Sequence, residues 1–114
     1  MDKTFAKIQT AFEGIHNYPG APEEVAFLRD KHRHIFHVIV FIQQFHSNRD
    51  LEFIMFKHWL DKTIAKHLVP MKLSKSCEMM AEELAKYIKK RYGKRELRIE
   101  ISEDGENGAY LEFT

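Results

Sequence analysis

The spacing of apolar and polar residues divides this chain into six elements. From Thr4 to Tyr18 the two kinds are mixed, and Ile8, Thr10, Phe12, Gly14 and His16 share one face if the segment is extended. Pro19, Gly20 and Pro22 then break the chain into a loop. The run HRHIFHVIVFIQQF from His32 to Phe45, rich in β-branched and aromatic residues, predicts a long strand. A turn follows over His46 to Asp50, although the strand could resume through Leu51 to Phe53. Ile54, Phe56, Trp59, Leu60, Ile64 and Leu68 recur at helical spacing, with Pro70 closing that helix. Ser76 is placed to cap a second helix, whose buried side would be Met79, Met80, Leu84, Tyr87 and Ile88, with Gly93 as its stop. Leu97, Ile99 and Ile101 alternate with polar residues, Asp104-Gly105 and Asn107-Gly108 mark a turn, and Tyr110, Leu111 and Phe113 make a last strand. The order is strand, strand, helix, helix, strand, strand. It predicts one α+β domain over residues 1–114, a four-stranded antiparallel sheet with two helices on one face.

Composition narrows the function. The 18 basic and 17 acidic side chains nearly cancel, so no bulk nucleic-acid binding is expected. The single cysteine, Cys77, excludes an intramolecular disulfide framework and suits a reducing compartment. The start, MDKTFAKIQTAF, has no continuous apolar stretch, so neither a signal peptide nor a membrane span is expected there, and the cytoplasm is the default location.

Seven histidines are many for 114 residues. His32 and His34, two apart on a predicted strand, project from the same face, and imidazole is a usual zinc ligand. A third ligand must come from another element, and the first strand ends at His16. Three protein ligands leave one coordination position for water or substrate. The pattern His-x-His also occurs at exposed strand positions without metal. His37 lies on the opposite face of its strand, and together with His46, His58 and His67 it reads by spacing alone as ordinary surface or core.

Five local patterns, in order along the chain, resemble the 6-pyruvoyl-tetrahydropterin synthase family, which includes the bacterial 6-carboxy-tetrahydropterin synthases of queuosine biosynthesis. Phe12-Glu13-Gly14-Ile15-His16 is similar to the family's Phe-x-Ala-x-His, and His32-Arg33-His34-Ile35-Phe36-His37-Val38 to its His-Gly-His-Asn-Tyr-x-Val. Leu51-Glu52-Phe53-Ile54-Met55-Phe56-Lys57 resembles Ile-Asp-Phe-x-x-Leu-Lys at the start of its first helix. Ser76-Cys77-Glu78-Met79-Met80-Ala81 resembles Thr-x-Glu-Asn-Leu-Ala at the start of the second, and Ile99-Glu100-Ile101-Ser102-Glu103 resembles Val-x-Val-x-Glu on the third strand.

The resemblance implies the tunnelling fold, ββααββ, with subunits associating as trimers or hexamers whose sheets close into a barrel. It implies zinc held by His16, His32 and His34, and a pterin or purine-like ligand bound by Glu103 and Ser76. A carboxylate offers two parallel acceptors to the guanidine-like edge of such a ligand. The chain also departs from the family. Leu28 stands where the family's catalytic cysteine precedes the His-x-His by four positions, and the Asp-His pair after the first helix is missing. His67 lies in that region and is the candidate for the catalytic role. Arg33 replaces the glycine between the two histidines and is expected to bring bulk and charge beside the metal. Three functions stay open: a zinc-dependent lyase of the tetrahydropterin synthase type, a protein that binds or sequesters a pterin or purine nucleotide, and a structural subunit without metal.

Overall fold

A computed structural model describes residues 2–69 and 75–114. Strands β1 (Thr4–His16) and β2 (His32–Gln44) are followed by helices α1 (Phe53–His67) and α2 (Cys77–Tyr92), then strands β3 (Leu97–Glu103) and β4 (Asn107–Phe113). The strands form one open antiparallel sheet in the order β1-β2-β3-β4. The element order and the α+β class follow the expectation from periodicity.

The strand alternation decides which face is buried. Ala6 and Ile8 of β1, Phe36, Val38, Val40 and Ile42 of β2, and Leu97, Ile99 and Ile101 of β3 point to the same side. Phe56, Leu60 and Ile64 of α1 and Met80, Leu84 and Ile88 of α2 close over them to form one core. Each of these side chains larger than alanine contributes about 1.5–3 kcal/mol by leaving water. Both helices are capped at their starts. The Glu52 carboxylate accepts from the amides of Ile54 and Met55, and Ser76 Oγ accepts from the amide of Met79 at 3.1 Å. Gly93 ends α2 at φ 81°, where a side chain would be strained.

Several expectations change. The loop after β1 contains a 3-10 helix over Glu23–Arg29, which begins behind Pro22 and is irregular at Val25. β2 does not resume after the turn at 46–50, because Glu52 caps α1 instead. Ile54 and Met79, placed by spacing on buried stripes, are 63% and 52% exposed. They sit in the first turns of their helices. The β3–β4 turn is Asp104 to Glu106, with Asp104 and Gly105 both at positive φ, and Asn107-Gly108 already belongs to β4. Pro70, expected to close α1, lies outside the described residues. No described helix is long and apolar enough to cross a membrane.

Candidate metal centre

The two long strands bring the three histidines together by register. His16 pairs directly with His32, and the buried Gly14 pairs with His34, so no side chain stands opposite the His34 ring. All three occupy the face that farther along the same strands forms the core. Their rings are mutually edge-on, with centroids 4.5 Å apart for His16–His32, 5.2 Å for His16–His34 and 4.8 Å for His32–His34. Phe36, itself stacked on Phe12, forms the floor against His16. Burial on this apolar floor pushes the His16 pKa down, against the opposing pull of the Lys75 carbonyl and Glu103. The neutral imidazole so favoured is the form that binds metal.

Glu103, at the end of β3, joins the group. Its Oε2 lies 2.8 Å from His16 Nε2 and 3.7 Å from His34 Nε2. The 2.8 Å approach is not aligned as a hydrogen bond, leaving His16 Nε2 a buried nitrogen with no hydrogen-bond partner among the described residues. One donor atom from each of His16, His32, His34 and Glu103 lies within 4.8 Å of the others, so the four could hold a metal ion. Tetrahedral ligands about 2.0–2.1 Å from zinc stand about 3.3–3.4 Å apart, so the four side chains would have to draw together to hold the ion.

The outer nitrogens show the same organisation. His16 Nδ1 faces the Lys75 carbonyl at 3.4 Å, His32 Nδ1 the Asp30 carbonyl at 2.8 Å, and His34 Nδ1 the Asp104 carboxylate at 2.6 Å. Carbonyl and carboxylate oxygens only accept, so each of these contacts favours the ring proton on Nδ1 and the lone pair on Nε2, opposed at His16 by Glu103 Oε2, itself an acceptor beside Nε2. Asp104 was read in the sequence as a turn residue only. Its role depends on the register of β3 against β2, which local sequence does not reveal.

A hollow of about 500 Å³ opens beside the cluster, lined by His16, His32, Leu28, Ser76, Cys77 and Glu103. Ser76 and Glu103, the expected ligand-binding residues, are therefore together, with Ser76 Oγ engaged in capping α2. Met79 faces the same hollow, which accounts for its exposure. Leu28 places an apolar side chain at the position expected to hold a catalytic thiol. Cys77 is no equivalent, because burial first and then Glu103 and Glu78 push its thiol up to about 12. Arg33 does not add bulk or charge beside the cluster: it projects from the opposite sheet face, where it pairs with Glu13 at 2.8 Å. His67 lies away from the hollow, stacked on Tyr87 with centroids 4.1 Å apart, and lines a separate groove between the helices.

Neither a family model nor a curated protein matches this chain.

Proposed function

We propose that this chain is a zinc protein of the tunnelling fold, a divergent relative of the 6-pyruvoyl- and 6-carboxy-tetrahydropterin synthases, acting on a pterin or deazapurine precursor. The observation that carries the reading is the convergence of one donor atom from each of three histidines whose Nδ1 atoms all face oxygen acceptors. Zinc held there supplies Lewis-acid polarisation of a substrate oxygen. His16, His32 and His34 hold the ion, and the Phe12–Phe36 floor lowers the local dielectric. Glu103 has two roles open to it. Turned toward the histidines it completes a four-ligand set, and turned into the hollow it accepts from the amino and ring N–H groups of a pterin-like ligand.

A second reading, a binding or sequestering protein, is favoured by Leu28. Among the described residues, His16 and His32 are the only histidines that line the hollow to exchange protons with a ligand.

Metal analysis after gentle purification tests the common ground, with about one zinc per chain expected and its loss in His34→Ala. Less than about one tenth of a metal per chain would sink both readings in favour of a structural subunit. Incubating zinc-loaded protein with dihydroneopterin triphosphate then separates the two. Product supports the enzyme, and ligand-dependent thermal stabilisation without product supports the binder.

A further inference from the structure

We propose that Asp104 is a positioning residue that holds His34 with its proton on Nδ1 and its Nε2 lone pair directed into the cluster. The consequence for metal affinity rests on the zinc reading above, whereas the tautomer concerns His34 alone.

Asp104 opens the β3–β4 turn at φ 57°, one residue past the last β2–β3 pair, Phe36↔Glu103. Three contacts hold it to β2. Its amide donates to the Ile35 carbonyl at 2.7 Å, and its Oδ1 accepts from the Ile35 amide at 2.9 Å. These two bonds orient the carboxylate, so Oδ2 meets His34 Nδ1 at 2.6 Å, the short separation of a charge-assisted bond. Because the carboxylate can only accept, the ring proton belongs on Nδ1.

The three histidines differ in what sets their tautomers. His16 and His32 face main-chain carbonyls of Lys75 and Asp30, which no substitution removes. The Glu103 carboxylate stands 2.8 Å from Nε2 of His16 and 3.7 Å from Nε2 of His34, while on the Nδ1 side His34 alone faces a side chain. A carboxylate in this position also raises the basicity of the ligating nitrogen, and its loss typically lowers metal affinity about 10–100-fold.

Asp104→Asn tests the inference while keeping side-chain size. Its remaining oxygen accepts from the Ile35 amide, which turns the NH2 toward His34 Nδ1 and favours the proton on Nε2. Long-range 15N–1H NMR of the metal-free protein reads this directly. The expected result is protonated Nδ1 and bare Nε2 on His34 in the wild type, reversed or mixed in Asp104→Asn. Competition against a chromophoric chelator should show zinc affinity lower by about 10–100-fold in the variant, with Glu106→Gln in the same turn unchanged. A wild-type His34 protonated on Nε2 overturns the proposal, and that measurement decides it even if Asp104→Asn does not fold. So does an unchanged tautomer in the variant, or a zinc affinity within about two-fold of wild type while His34→Ala loses binding. If the wild type binds no zinc, the zinc reading fails, and the tautomer alone decides the role of Asp104.

Discussion

At the scale of single residues, the site contains ionisable groups whose environments differ sharply. Burial against Phe36 lowers the His16 pKa, while Asp104 is held below the usual carboxylate range by the Ile35 amide and by His34. Cys77 is the extreme case, at 7% exposure with its thiol raised to about 12. Only the thiolate attacks disulfide reagents, and at pH 8 about one Cys77 in ten thousand carries it. Ellman's reagent should therefore label Cys77 at least about a hundredfold more slowly in the native protein than in urea. Equal rates would show that the thiol is neither buried nor raised. The sequence alone marks Cys77 only as the single cysteine, with no disulfide partner in the chain. It could not suggest the pairing of His34 with Asp104, because the two are 70 positions apart and meet only through the register of β2 against β3.

At the scale of elements, the β3–β4 hairpin places both acidic members of the site, and its geometry depends on Gly108. A Cβ built there would lie 2.1 Å from the Ile101 carbonyl oxygen and 2.5 Å from Ser102 Cα, both backbone atoms that cannot turn aside. Gly108→Ala must part β4 from β3, so a loss of about 1–3 kcal/mol or more is expected, read as a lower urea midpoint. Gly20→Ala, whose nearest atom would be the Tyr18 ring at 3.6 Å, is the control and should leave the midpoint nearly unchanged. A Gly108→Ala midpoint equal to that of Gly20→Ala would contradict this close approach. Alternating residues made β3 and β4 legible, and the turn signals located their junction to within a few residues. The 3-10 helix over Glu23–Arg29 was not legible, since a short turn behind Pro22 has no hydrophobic period of its own.

At the scale of the whole molecule, the chain is longer than a compact domain of its size. Its radius of gyration is 15.2 Å, with extents of 50 × 29 × 22 Å, against about 13 Å for a compact 100-residue domain. The cause lies in the strand lengths. β1 pairs with β2 from His32 to Gln44, but β3 pairs only with Phe36 to Ile42, so the β1–β2 ribbon runs past the sheet. His16, His32 and His34 lie on that overhang, and Glu103 at its root. A metal ion shared among them would clip the ribbon to β3. Zinc at a hundred times its dissociation constant should then add about 2.7 kcal/mol to stability, reversed by chelator. Amide exchange should slow most over residues 13–16 and 32–35. A thermal midpoint indifferent to zinc and to chelator would mean that nothing is clipped.

The sequence by itself determined the class of fold and the facing of the histidines. Both follow from local periodicities, two residues per repeat in strands and 3.6 in helices, which set the side of each element that turns inward. From these came the β1, β2, α1, α2, β3, β4 order and the common face of His32 and His34. Tertiary structure alone decided what surrounds them. Register put His16 opposite His32 and Asp104 against His34, and sheet alternation sent Arg33 to the far face. Helix packing set Cys77 beside the cluster and carried His67 to a different groove, while the β1–β2 connection brought Leu28 to the hollow. Such contacts join residues tens of positions apart, and the free energy that selects them comes from burying the whole core at once, so no local stretch of sequence encodes them.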